Sequence, residues 1–218
     1  MTGKARTTHS EAERLEQLWG GAFGTEYAVR NAEAGVGRGP FWTGLLAAHP
    51  VTSVCEIGCN TGANLRWLGE LIDPEGVFGV DVNHDALLEA RRRFPRVNAL
   101  WGLARELPLR DEFVDLAFTT GVLIHQPDDT LGQVMDEVVR VSRRFVLCGE
   151  YFSEDPVEVQ YRGERGALFK RDYGRLYAER YPEMRLLERG FLGRADGWDD
   201  VDWWLFEKPT PAQHGAQQ

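Results

Sequence analysis

Two short stretches hold the residues best placed to do chemistry. The first is Glu56-Ile57-Gly58-Cys59-Asn60-Thr61-Gly62. Glycines at 58 and 62 allow a tight turn and let the backbone come close to a ligand. The spacing is not G-x-G-x-x-G, so the turn fits a pyrophosphate poorly. The second is Gly79-Val80-Asp81-Val82-Asn83, with Asp81 23 residues after Gly58. A carboxylate at a strand end can accept hydrogen bonds from both hydroxyls of a ribose; its alternative role is to cap the following helix. His125, with a reference pKa near neutrality, could act as a general base. It could equally pack on a ligand or cap the helix that starts at Pro127-Asp128. Glu150 and Tyr151 end an apolar run and could bind an acceptor or fill the rim of a cleft.

These residues have to be positioned by the elements around them. Val51–Gly58, Val77–Val82, Val97–Gly102, part of Val114–Ile124, Arg144–Tyr151, Arg185–Leu192 and Val201–Glu207 read as strands. Helical spacing falls over Glu11–Trp19, Phe41–Ala48, Ala63–Ile72, Asp85–Phe94, Asp128–Val141 and Arg171–Tyr181, with a glycine-rich break at Gly35, Gly37 and Gly39. Such alternation predicts an α/β fold with a doubly wound, mostly parallel sheet of seven strands and helices on both faces. The last two strands are joined only by Gly193–Asp200, which predicts a hairpin and an antiparallel last strand. The expected organisation is a helical extension over 1–48 covering the site, one α/β domain over 49–208, and a disordered tail over 209–218.

Composition narrows the function classes. The net charge of −9 argues against a duplex nucleic-acid partner, which would meet a basic face. No apolar run approaches the roughly 18 residues of a membrane span, and Met1–Glu13 has no signal-peptide core. Cys55, Cys59 and Cys148 are odd in number and read as buried free thiols in a reducing compartment, so a cytoplasmic location is expected. His49, His84 and His125 lie on different elements, so no metal site is expected.

The glycine turn resembles motif I of the class I S-adenosylmethionine-dependent methyltransferases, usually acidic-x-G-x-G-x-G, with Asn60 at the middle glycine. Gly102-Leu103-Ala104-Arg105-Glu106-Leu107-Pro108 followed by Phe113-Val114-Asp115-Leu116 is similar to the third-strand exit of small-molecule members. A narrower resemblance, to the pseudaminic acid biosynthesis-associated methylases, runs from about Phe23 to Lys208. It rests on Phe23-Gly24-Thr25-Glu26-Tyr27 with Arg30-Asn31, on Glu56 to Arg66 including Asn60 and Asn64, and on Thr120-Gly121-Val122-Leu123-Ile124-His125. It continues through Glu150-Tyr151-Phe152, Pro156 to Gly163, Leu168 to Tyr173, and Asp202-Trp203-Trp204-Leu205-Phe206-Glu207-Lys208.

The resemblance implies an enzyme that uses S-adenosyl-L-methionine to methylate oxygen or nitrogen on a small polar molecule, either a sialic-acid-like sugar or a natural-product intermediate. A homodimer stays open. It implies cofactor contacts at Tyr27, Arg30, Glu56, Gly58, Asn60, Gly62, Asn64, Asp81, Val82, Leu103, Ala104 and Thr120. Glu56 would attract the α-ammonium and Arg30 would pair with the methionine carboxylate. Leu103 and Ala104 would offer backbone to the adenine. Within 154–173, Arg162, Lys170 and Arg171, with Tyr161, are expected to hold an acidic acceptor, unless they pair with neighbouring acids such as Glu154 and Glu158. The rivals are a cofactor-binding protein without turnover and a nicotinamide-dependent oxidoreductase, the latter disfavoured by the missing G-x-G-x-x-G.

Overall fold

The computed structural model describes residues 10–31 and 33–209. Ser10 and Glu13 form a capping box that starts α1 (Glu11–Gly20), with each side chain meeting the other's backbone N–H. A second helix, α2 (Ala22–Arg30), follows at once. It falls within the helical extension expected over 1–48, although glycines at 20, 21 and 24 disfavour a helix there. Gly24 is instead a packing glycine: a Cβ there would fall 1.7 Å from the Trp19 carbonyl oxygen. Gly35 and Gly37 do form the expected break, both at positive φ. Gly39 belongs to the next helix, α3 (Gly39–Ala48), with Pro40 in its first turn.

The sheet then builds up as β1 (Val54–Ile57), α4 (Leu65–Leu71), β2 (Val77–Asp81), α5 (His84–Arg93), β3 (Asn98–Trp101) and β4 (Val114–Thr120). It continues with α6 (Asp128–Val141) and β5 (Ser142–Glu150). An arm follows, carrying a two-stranded ribbon of β6 (Val157–Glu158) and β7 (Phe169–Lys170), and then α7 (Tyr173–Arg180), β8 (Arg185–Leu192) and β9 (Val201–Glu207). The strand order is β3-β2-β1-β4-β5-β9-β8. The first five strands run parallel, and β9 runs antiparallel between β5 and β8. The sheet is therefore the expected seven-stranded one with an inserted last strand.

Two cores sandwich this sheet. On one face α6 and α7 supply Val134, Met135, Val138, Tyr173 and Tyr177. On the other, α3, α4 and α5 supply Trp42, Leu45, Leu65, Leu68, Leu87 and Ala90. β1 is buried throughout, as a central parallel strand covered on both sides must be. Cys55, Cys59 and Cys148 are buried free thiols. Of the tail expected over 209–218, all but Pro209 lies outside the described residues. No helix among the described residues is long and apolar enough to cross a membrane, and none of their His, Cys, Asp and Glu side chains group as a metal site would require.

Candidate active site

The order β3-β2-β1-β4 reverses direction at β1 and β4, and the carboxyl ends of strands open into a crevice at such a switch. Here that crevice is one cavity, lined from β1 by Glu56, Gly58 and Asn60, from β2 by Asp81 and Val82, and from β4 by Thr120. Gly58 has φ +75°, and a Cβ there would meet Val122 Cγ2 at 2.3 Å, so only glycine fits the turn. Asn60 is also left-handed, at φ 47°, a conformation asparagine tolerates better than most residues. Its N–H donates to Asp81 Oδ2 at 2.7 Å, and the Asn83 N–H donates to Asp81 Oδ1 at 2.8 Å. Each Asp81 oxygen keeps a lone pair free. Burial pushes the Asp81 pKa up against these backbone donors.

Glu56 is buried beside them. Its Oε1 accepts from Asn64 Nδ2 at 2.6 Å and from Thr120 Oγ1 at 3.2 Å. Its Oε2 and the Asn60 Oδ1 are buried and have no partner among the described residues. Burial raises the Glu56 carboxyl to about 7, with Asn64 opposing. Asn64 turns its own Oδ1 to Arg38 at 3.1 Å and to the Trp42 indole at 3.2 Å. Asn64 therefore supports the cavity from behind rather than lining it. Gly62 likewise lies off the wall, packed on the Phe94 ring at positive φ.

Val82, Leu103 and Ala104 line the β2–β3 side, where backbone and apolar side chains meet the cavity. Tyr27 lines it from α2, but Arg30 does not: it pairs with Glu26 at 3.5 Å on the same helix. The guanidinium that reaches the cavity is that of Arg38, which also donates to the Gly197 carbonyl at 2.9 Å and stacks on Trp198 at 4.2 Å. Arg38 follows the glycine break, and only the fold brings it back to Glu56. Trp19, Asn83, Trp198 and Asp199 also line the cavity without having been expected. Asn83 carried a sequence signal, since it caps α5 through the Ala86 N–H.

On the β4–β5 side the candidates separate. His125 and Tyr151 line the cavity; Glu150 does not. The Glu150 carboxylate is fully buried and accepts from the backbone N–H groups of Val122 at 3.3 Å and Ile124 at 3.2 Å, holding the turn that carries His125. Burial lifts its pKa to about 7. His125 Nδ1 meets the Ala167 carbonyl at 2.5 Å, so Nδ1 carries the proton and Nε2 is left as an acceptor. Burial lowers its pKa to about 4.

Of the arm residues Tyr161 lines the cavity, whereas Arg162, Lys170 and Arg171 do not. Arg162 is exposed, and Lys170 lies 5.7 Å from the Tyr151 ring. Arg171 is 5% exposed and clamps the start of α6, donating to Asp128 Oδ1 at 2.6 Å and to the Gln126 carbonyl at 3.3 Å. Arg171→Ala is accordingly expected to lower stability by about 2 kcal/mol through lost buried hydrogen bonds. Denaturant unfolding checks this, and an unchanged midpoint would contradict the clamp.

Residues 54–144, from β1 into β5, match the methyltransferase domain family. No curated protein matches the sequence significantly. Among solved structures the fold is similar to that of 1,6-didemethyltoxoflavin-N1-methyltransferase from Burkholderia thailandensis, solved with 1,6-didemethyltoxoflavin and S-adenosylhomocysteine. Identity is 16%, the alignment covers 95% of this chain and 93% of that one, and the TM-score is 0.71. Magnesium protoporphyrin IX methyltransferase from Synechocystis PCC 6803, solved with S-adenosylmethionine, is 11% identical over 94% and 100% of the two chains, with a TM-score of 0.66. The cyclase SpnF shares the fold at 17% identity over 78% and 81%, with a TM-score of 0.55. The sheet order and the matched segment agree: the fold is the Rossmann-like fold of class I methyltransferases, and residues 54–144 within it match the methyltransferase domain family.

The residues present fit that cofactor. Glu56 Oε2 is an unpartnered buried acceptor that an ammonium would satisfy, and the Asp81 oxygens have lone pairs for two hydroxyls. Gly58 leaves room for close backbone approach.

Proposed function

We propose that this chain methylates an oxygen or nitrogen of a small polar metabolite, within the pseudaminic acid biosynthesis-associated branch of the class. The observation that carries this reading is the juxtaposition of Glu56, Asp81 and Thr120 in one cavity that α1 and α2 close from above with Leu15, Trp19 and Tyr27. A roofed cavity of this kind suits a small molecule. When bound, S-adenosylmethionine supplies an electrophilic methyl carbon on a sulfonium. Asp81 would hold the ribose hydroxyls, Glu56 the ammonium, Arg38 the carboxylate, and Leu103 with Ala104 the adenine edge. The chain's own contribution is to place the acceptor on the sulfonium axis and keep water away, which supplies much of the acceleration of an in-line displacement.

Two acceptor classes remain from the sequence, a carboxylated sialic-acid-like sugar and a natural-product intermediate. The second is favoured, because no unengaged cation among the described residues lines the cavity. Arg105 is taken by Glu16 at 2.5 Å, and Arg38 is assigned to the cofactor. The test is a screen of methyl transfer from labelled S-adenosylmethionine to small metabolites of both classes. Turnover with neither, by a protein that binds the cofactor, would leave the non-catalytic reading in place.

In this reading His125 is a neutral acceptor and part of the wall, because a ring whose pKa is about 4 holds a proton too weakly to act as a base near pH 7. The pH profile of kcat is expected to have the same shape between about pH 6 and 9 in wild type and in His125→Gln. A limb near neutrality that disappears in the variant would restore His125 as the base.

A further inference from the structure

The cavity has a second chemical character beyond its cofactor set. Trp19, Tyr27, Tyr161 and His125 form a continuous ring cluster, with centroids 5.4 Å apart for Trp19–Tyr27, 6.3 Å for Trp19–Tyr161 and 5.5 Å for His125–Tyr161. Tyr151 adds a fifth ring to the wall. Tyr27 and Tyr151 are neutral: burial, then Tyr161 and Asp199, push Tyr27 up to about 12, and burial and then Asp199 raise Tyr151. These rings present uncharged faces, whose quadrupoles attract cations; Arg162 already lies 5.7 Å from the Tyr161 centroid and Lys170 5.7 Å from that of Tyr151, which leaves Tyr27 and Trp19 without a cation of the chain.

Asp199 lies in the same wall, in the turn that joins β8 to β9. Among the described residues it forms no ion pair within 4.0 Å. The Arg38 guanidinium, which feels the Asp199 charge, makes its direct contacts with Asn64, the Gly197 carbonyl and the Trp198 ring. The other cation of the wall, Arg105, is held by Glu16. The acceptor side thus combines aromatic faces with an exposed carboxylate that feels the Arg38 charge but closes no ion pair with it.

The geometry points to an amine as the acceptor, recognised in its ammonium form by Asp199 and the faces of Tyr27 and Trp19. This rests on the reading of the cavity as a methyl-transfer site and specifies its substrate class. The chemistry balances: the ammonium releases one proton to solvent, and the nitrogen lone pair takes the methyl. The carbon–sulfur bonding pair stays on sulfur, which becomes a neutral thioether. Asp199 selects charge and orients the nitrogen.

The test uses the full chain loaded with S-adenosylhomocysteine and three probes of matched shape: benzylamine, benzyl alcohol and benzoate. Benzylamine is expected to bind about tenfold or more tightly than benzoate, as one counter-charge and cation–π contacts provide. Asp199→Asn should remove that preference while leaving affinity for S-adenosylhomocysteine unchanged, which also reports that the variant is folded. No preference for the amine, or a preference that survives Asp199→Asn, overturns the assignment. So does a variant that loses affinity for S-adenosylmethionine but not for S-adenosylhomocysteine, since the carboxylate would then serve the sulfonium. A wild-type chain that binds no S-adenosylhomocysteine would instead sink the underlying reading of the cavity.

Discussion

Asp81→Ala is expected to weaken S-adenosylhomocysteine binding by about 2–4 kcal/mol, or roughly 30- to 1,000-fold. Two losses combine. Two charge-assisted hydrogen bonds to the ribose hydroxyls disappear. The acceptor that fixes the Asn60 N–H at 2.7 Å and the Asn83 N–H at 2.8 Å disappears as well. Asn60 sits at positive φ, so the glycine turn loses the contact that holds it in that conformation. Asp81→Asn keeps one carbonyl oxygen and should fall between wild type and alanine. Calorimetry on folded variants decides, and wild-type affinity in Asp81→Ala would remove this residue from the cofactor site.

Glu56→Gln should lose cofactor affinity and, more tellingly, lose its pH dependence. In the free protein the Glu56 carboxyl titrates at about 7 because it is buried. It must be ionised to receive an ammonium. Wild-type affinity should therefore hold above pH 7 and fall about tenfold per unit below it, whereas the glutamine variant should be flat over the same range. Stability carries the opposite sign. A carboxyl whose folded pKa is raised binds more protons folded than unfolded, so it costs stability as pH rises from its unfolded value to about 7. The stability of Glu56→Gln relative to wild type should grow across that window and level off above it. A constant difference would mean that Glu56 titrates normally and is not desolvated. A binding curve in wild type that is flat from pH 5.5 to 8 would contradict its role at the ammonium.

The parts of this site that lie on strand ends were legible in the sequence, and the parts that depend on how loops return were not. Gly58, Asn60 and Asp81 announce themselves because a buried strand, a glycine turn and a carboxylate recur at fixed spacing. The terminal hairpin was legible because one short loop separates two apolar strands. α2 was hidden because Gly24 serves helix packing, and a glycine chosen for close approach looks the same in sequence as one chosen to break a helix. Arg38 was not legible for a related reason, although Arg30 stood out in the sequence. Both lie near the cavity in sequence, but Arg30 projects beside Glu26, while Arg38 is drawn inward by Asn64 and the Gly197 carbonyl.

The basic arm misled in another way. Its charge density is real, but Arg171 is used to clamp Asp128 and the start of α6, and Arg162 stays exposed. Glu150 shows the same ambiguity at a strand end. Its position resembles that of a catalytic carboxylate, yet its lone pairs are taken by the backbone of the turn beneath His125. Asp199 could not have been singled out from the sequence, since its place beside Tyr27 and Tyr151 is created only when the β8–β9 turn folds against the segment preceding α3.

The most direct measurement is calorimetric titration of the full chain with S-adenosylhomocysteine, NAD and NADP in parallel at pH 8, where Glu56 is ionised. Saturable one-to-one binding of S-adenosylhomocysteine, with no heat from either dinucleotide, is the predicted result. Binding of NAD or NADP in its place, or no binding of S-adenosylhomocysteine by a folded protein, would contradict the account.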